Sequence, residues 1–386
     1  MQGSDAGFQY KPNATNYHLY LGPKALQFVS PKQNHLLTMN HSVLLRPRSP
    51  FAALLISLFV GLTSAGNSVF ASSENTTTED QAQGQLREYW VAAEKVIWDY
   101  APTGKNLIRP EMGLGVWGET RKYTKYRYFA YTDASYSKKV PQPEWMGILG
   151  PQLVGEVGDT LKVHFKNLSD RPLSMHPHGL LYDEDNDGAD RRGAGAIVAP
   201  GKSFTYHWKL DQGAGPGPAD ASSIVWVYHS HVDAVEEIYL GLMGTITVTR
   251  KGMAISPEDP RPKDVDHSFT TLYMVFDEED GEEGGLMHTM NGYIFGNLKG
   301  LEVDENDTVR WHLVGMGSEV DLHTAHWHGE TVLNGGRRTD VINLMPATMI
   351  SVTMLADNPG SWLYHCHVTD HITAGMITRW TVNKKP

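Results

Sequence analysis

One cysteine in 386 residues leaves no partner for an intrachain disulfide. In an oxidising compartment such a lone thiol has to be buried or held by a metal. Basic charge is also in short supply. The chain has 33 Lys and Arg against 44 Asp and Glu, a formal net charge of −11, which argues against a nucleic-acid partner. Long apolar runs are missing too. Phe51 to Leu62 spans about a dozen residues, too short for a comfortable membrane crossing. Arg46 and Arg48 precede it and Val69-Phe70-Ala71 follows, so residues 39–71 read as a secretory signal peptide. A retained membrane anchor is the alternative reading. No cysteine follows the run, so a lipid anchor there is excluded. Residues 1–38 are an unassigned N-terminal extension, and the polar, acidic stretch 72–85 is a linker. The expected location is secreted or periplasmic, with no membrane attachment after cleavage.

No stretch carries a sustained helical period. Leu161 to Phe165, Ser203 to Trp208 and Thr245 to Thr249 have strand character. With 38 Gly and 21 Pro punctuating short segments, the pattern predicts an all-β fold of sandwich or barrel type. The chain also repeats itself. Glu156 to His164 is similar to Val303 to Trp311. Each is followed by a His-x-His-Gly motif, at His176 and His326. Each half then ends in a second pair, at His229-Ser230-His231 and His365-Cys366-His367. The repeat predicts two domains. A Pro-rich, charged stretch near Arg250 to Pro262 separates them, giving domain 1 at 86–252 and domain 2 at 264–384.

The four His-x-His pairs are His176 with His178, His229 with His231, His326 with His328, and His365 with His367. On a strand, residues two apart point to the same side. Eight imidazoles converging between domains would hold three copper ions. The same alternation sends Cys366 to the side opposite His365 and His367. His323 lies three before His326 and faces that side as well. His323, Cys366, His371 and Met376 supply two imidazoles, a thiolate and a thioether, the ligand set of a type 1 (blue) copper. Four copper ions per protomer are expected. Domain 1 has Ser230 where domain 2 has Cys366, and no histidine follows it closely, so domain 1 should lack a type 1 copper. His164, His207 and His312 read as ordinary core or surface residues. Met345, Met349 and Met354 read as core filler rather than a metal relay.

At this point the sequence resembles the multicopper oxidases, which are built of Greek-key cupredoxin domains. The resemblance implies type 2 ligation by His176 and His326. It implies type 3 ligation by His178, His229, His231, His328, His365 and His367. Within that family, Met287 to Leu298, Asp321 to Gly329 and His365 to His371 look like the last domain of ceruloplasmin-type ferroxidases. Those have six domains where this chain has two. Two-domain members of the family form trimers, so the resemblance implies a homotrimer with a copper cluster at each subunit interface. It also implies an Fe(II) site at Glu283, His288 and Asp370, whose carboxylates and imidazole suit iron. Glu283 lies in the acidic run Asp277 to Glu283, which reads equally as a solvated loop. Asp370 could instead orient a copper ligand.

The implied reaction is four one-electron substrate oxidations at the type 1 copper, coupled through Cys366 to reduction of dioxygen to water. The substrate is Fe(II), or a small reducing aromatic if the enzyme is of laccase type. A carboxylate of Asp183 to Asp187 could deliver protons, or that loop is solvated or binds a hard cation. A copper-storage protein needs no electron path. A copper nitrite reductase needs far fewer interface histidines.

Overall fold

The computed structural model describes residues 84–279 and 281–385. The expected signal peptide, the extension 1–38 and nearly all of the linker lie outside the described residues. Two sheets form from the first half. One takes β1 (Leu86–Asp99), β2 (Lys122–Tyr131), β4 (Thr160–Asn167) and β6 (Ser203–Lys209), and the other β3 (Leu153–Glu156), β5 (His176–Pro177), β7 (Ser223–His229) and β8 (Met243–Thr249). The expected strands at Leu161, Ser203 and Thr245 fall inside β4, β6 and β8.

The second half repeats the plan with additions. Its first sheet takes β9 (His267–Asp277), β10 (Leu286–Met290), β12 (Asp307–Gly315), β14 (Val332–Asn334), β15 (Arg337–Thr339) and β17 (Thr348–Ala356). Its second takes β11 (Glu302–Asp304), β13 (His323–Trp327), β16 (Val341–Leu344), β18 (Gly360–Cys366) and β19 (Ile377–Asn383). The order β10-β9-β12-β17 mirrors β2-β1-β4-β6, and β11-β19-β18-β13 mirrors β3-β8-β7-β5. In each half the first strand runs parallel to its inner neighbour, β1 with β4 and β9 with β12. One short helix follows the second histidine pair of each half, α1 (Ala234–Tyr239) in the first and α2 (Thr369–Thr373) in the second. Among the described residues no helix is long and apolar enough to cross a membrane.

Strand alternation builds the cores. Val309, Trp311 and Leu313 of β12 point into a cluster with Trp327, Tyr364 and Trp380, and Cys366 sits in the same cluster. Each such large apolar side chain contributes about 1.5–3 kcal/mol on burial. The opposite face of β12 carries Arg310, His312 and Val314. Val314 joins Val225 and Val227 of β7 in a shared apolar layer between the halves. Arg310 is almost wholly buried there and donates to the Ser223 carbonyl at 3.0 Å.

The long connection Tyr100 to Arg121 also ties the halves together. Leu107 N–H donates to the Phe295 carbonyl at 2.9 Å, and the Trp117 indole N–H donates to the Leu286 carbonyl at 3.0 Å. Part of the acidic run is not solvated. Glu278 pairs with buried Lys125 and accepts from the Tyr100 hydroxyl, while Glu279 accepts from the Tyr123 hydroxyl at 2.7 Å.

His312 gives the fold a definite acid response. Its ring is fully buried, and its Nδ1 lies 2.7 Å from the Ser351 hydroxyl. Burial, with Arg310 nearby, pushes its pKa down to about 3 from the ordinary 6.5. The unfolded state therefore binds more protons between these values. Stability from this group is complete above pH 6.5 and is lost as pH falls toward 3. In metal-free protein, denaturant titration at pH 7 and pH 5 should show His312→Gln losing about 2 kcal/mol less than the parent over that interval. Equal losses would show that His312 does not titrate on unfolding.

Candidate metal centres

The repeated strand pairs bring the histidines together. In the first half His176 of β5 lies opposite His229 of β7, and in the second His326 of β13 lies opposite His365 of β18. Alternation then adds His178 and His231 on one side, and His328 and His367 on the other. Rings of the first quartet lie 5.2–5.5 Å apart between centroids. Those of the second lie 5.0–5.6 Å apart. Among the described residues no ring of one quartet pairs with a ring of the other. Among the described residues, each converging group of these histidines draws on one half only.

In four of these rings the second nitrogen is fixed by the backbone. His176 Nδ1–H donates to the Asp187 carbonyl at 2.7 Å, and His326 Nδ1–H donates to the Asp340 carbonyl at 3.0 Å. His229 and His365 donate likewise to the carbonyls of Ser230 and Cys366, each at 2.8 Å. In all four rings this leaves the Nε2 lone pair free. His178 and His229 face each other Nε2 to Nε2 at 3.1 Å, and His328 and His365 do so at 3.0 Å. Burial lowers the pKa of His178 and His365 to about 4 and of His229 to about 3. Neutral imidazoles with converging lone pairs are what a transition metal requires.

The glycine closing each His-x-His-Gly motif has a steric reason. Gly179 has φ +70° and Gly329 φ +78°, and a Cβ on them would stand 2.2 Å from the Trp226 ring and 2.8 Å from the Trp362 ring. Gly179→Ala should destabilise the fold by about 1–3 kcal/mol through strain and displaced tryptophan. Denaturant midpoints would measure it, and an unchanged midpoint would contradict it.

On the opposite face of β18, Cys366 is fully buried. Its Sγ lies 3.6 Å from His371 Nδ1 and 4.0 Å from His323 Nδ1. These three residues form one group able to hold a metal ion, as do His176, His178 and His229, and likewise His326, His328 and His365. Burial alone would push the Cys366 thiol up. Hydrogen bonds from His323 and His371 outweigh it and bring the pKa down to about 6. Thr324 N–H also donates to the sulfur, at 3.3 Å. Met376 is buried in the same core, and its carbonyl accepts the Cys366 N–H at 3.1 Å.

Asp321 was not singled out from the sequence. It is fully buried and accepts the His323 Nε2–H at 3.1 Å, which aims Nδ1 at the sulfur. Its place two residues before a ligand-like histidine was the available signal. Asp370, in contrast, is exposed in the first turn of α2. Glu283 is exposed as well, and His288 is half-buried with its ring 5.0 Å from that of His371. Among the described residues these three do not form a group of converging ligand atoms. Of the acidic stretch after the first motif, Asp183 caps the turn Glu184–Asn186, Asp185 accepts the Ala194 N–H at 2.9 Å, and Asp187 lies 3.2 Å from His176 Nδ1.

Two family models, both described as Multicopper oxidase, match residues 131–252 and 264–386. The chain belongs to the multicopper oxidases. This multicopper oxidase is 36% identical over 341 residues to Ferroxidase HEPHL1 of Homo sapiens, covering 77% of this chain and 29% of that protein. It is 36% identical over 344 residues to hephaestin of Rattus norvegicus (78% and 30%), and 36% identical over 337 residues to ceruloplasmin of Homo sapiens (77% and 30%). The chain thus spans less than a third of the length of these relatives. Among solved structures, a multicopper oxidase superposes with TM-score 0.56 at 22% identity, covering 78% of this chain and 93% of that one. A blue copper oxidase from Nitrosomonas europaea gives TM-score 0.54 at 22% identity, covering 78% and 86%. These last two are likenesses of fold, and the fold is that of paired cupredoxins. The family implies copper, and the nitrogen and sulfur donor sets described above suit it.

Proposed function

We propose that this chain is an exported two-domain multicopper oxidase, with cupredoxin domains at 86–252 and 264–384. The observation that carries the reading is the position of Cys366. It stands between two histidines of one quartet while its sulfur lies with His323 and His371 on the other side of the strand. His323, Cys366, His371 and Met376 would hold a type 1 copper. His176 and His326 would hold the type 2 ion, and the other six histidines the type 3 pair. Bound there, copper supplies one-electron oxidation of substrate and reduction of dioxygen to water.

The chain's own residues prepare both sites. Asp321 holds the proton on His323 Nε2 and so directs Nδ1 inward. The core around Cys366 excludes water from the sulfur. Peptide bonds join Cys366 to His365 and His367, so the strand itself is a short covalent link between the two ligand sets, and the Cys366 carbonyl also accepts the His365 Nδ1–H. Because each converging group among the described residues draws on one half only, a ring of copies would join domain 1 of one subunit to domain 2 of the next. A homotrimer is the assembly proposed.

For the substrate, Fe(II) is favoured. The His288 ring lies beside His371, and the carboxylates of Glu283 and Asp370 are exposed nearby in sequence. A phenol is the second reading. A largely apolar cavity of about 170 Å³ lies beside α2, lined by Ile108, Met112, Phe295 and Ile372, with Asn106 and Arg109 also on its wall. That volume matches a single aromatic ring. Oxygen uptake by the copper-loaded enzyme should separate the two. Glu283→Ala with Asp370→Ala is expected to lower kcat/KM for Fe(II) by at least about tenfold and leave phenol oxidation unchanged. Equal losses on both substrates, or none on Fe(II), would overturn the iron assignment.

A further inference from the structure

Domain 1 keeps the frame of the cysteine site without its ligands. Ser174 N–H donates to Ser230 Oγ at 3.0 Å, as Thr324 N–H donates to Cys366 Sγ at 3.3 Å. His231 N–H donates to Ser174 Oγ at 3.0 Å, as His367 N–H donates to Thr324 Oγ1 at 3.0 Å. Ser230 N–H donates to the Leu242 carbonyl and Cys366 N–H to the Met376 carbonyl, both at 3.1 Å. The return bonds also match. Leu242 N–H donates to the Glu237 carbonyl at 3.0 Å, and Met376 N–H to the His371 carbonyl at 2.9 Å.

These correspondences fix the equivalent positions. Ser230 stands for Cys366, Leu242 for Met376, Leu173 for His323, and Glu237 for His371. Glu237 is only 1% exposed. Its carboxylate accepts the Val232 N–H at 2.9 Å and lies beside the Ser230 hydroxyl. A buried carboxyl is costly unless it is hydrogen-bonded, and here its bonds go to the segment that carries His229 and His231. In domain 2 the equivalent segment is braced by the sulfur site.

We infer that Glu237 is a positioning residue for the copper cluster. It takes the structural place of a metal-binding histidine and holds the His229-Ser230-His231 turn in ligating geometry before any metal arrives. Domain 1 thereby presents a preformed half of the cluster. This rests on the proposed cluster, so the test separates the two.

The experiment compares Glu237→Gln, Glu237→Asp and Glu237→Leu with the parent. Copper loading is followed by chelator competition, by the visible sulfur band, and by amide exchange of metal-free protein at His231 and Val232. Gln keeps the acceptor oxygen at the same reach and should hold cluster copper within about twofold of the parent. Asp is shorter by one methylene, and Leu lacks the acceptor. Both should weaken cluster copper about 10- to 100-fold, speed exchange at Val232, and leave the sulfur band unchanged. If Leu does not fold, the contrast between Gln and Asp decides. Parent-like loading and exchange in Asp and Leu would overturn the inference, as would equal loss of the sulfur band. A parent that binds no cluster copper would instead sink the cluster itself.

Discussion

Serine in place of Cys366 is expected to leave a folded protein without intense visible colour and without turnover. The residue is fully buried, so a change of one atom should preserve packing. The hydroxyl keeps the Thr324 N–H as a donor partner. It cannot supply a thiolate, which at a pKa brought down to about 6 is the form present at neutral pH. Oxidase turnover should fall by at least about three orders of magnitude, about 4 kcal/mol on the barrier. The His quartets lie on the other face of the strand and should still bind their copper. Steady-state oxygen uptake and copper analysis of the variant test this. Retained turnover would mean that electrons enter by another route.

A mixing experiment should give the second large effect. One variant carries His176→Ala and His178→Ala, and the other His326→Ala and His328→Ala. Each alone should be inactive, because every cluster lacks two of its eight ligands, one of the two proposed type 2 histidines among them. Co-expressed in equal amounts, they should recover about a quarter of parent activity. A cluster built between copies draws an intact domain 1 and an intact domain 2 independently, each with a chance of about one half. A mixture as inactive as its components would show that each cluster is completed within one chain, or by some other means.

The sites were legible where local periodicity decides geometry. Residues two apart on a strand share a side, so each His-x-His pair had to face one way and Cys366 the other. The structure carries the repeat into strand pairing, β5 with β7 as β13 with β18. What the sequence could not display depends on long-range contacts. Asp321 serves His323 only because β9 brings the Val275 N–H to the same carboxylate, at 2.7 Å. The connection Tyr100 to Arg121 carries no period, and its docking on Phe295 and Leu286 is set by the second half. The acidic run Asp277 to Glu283 reads equally as a solvated loop or as part of an iron site, and neither reading foresees that buried Lys125 claims Glu278. Glu237 was hidden by spacing. Twelve residues separate Ser230 from Leu242, against ten from Cys366 to Met376, so a direct register misses its equivalence to His371. Among the described residues each converging group of histidines draws on one half only, which no count of histidines could reveal.

The most direct test of the central claim is a copper count on purified, copper-loaded protein taken together with its visible spectrum. The arrangement around Cys366 predicts about four copper ions per protomer and an intense sulfur-to-copper band that bleaches under a reducing substrate and returns with oxygen. A colourless protein, or a coloured one holding about one copper per protomer, would contradict it.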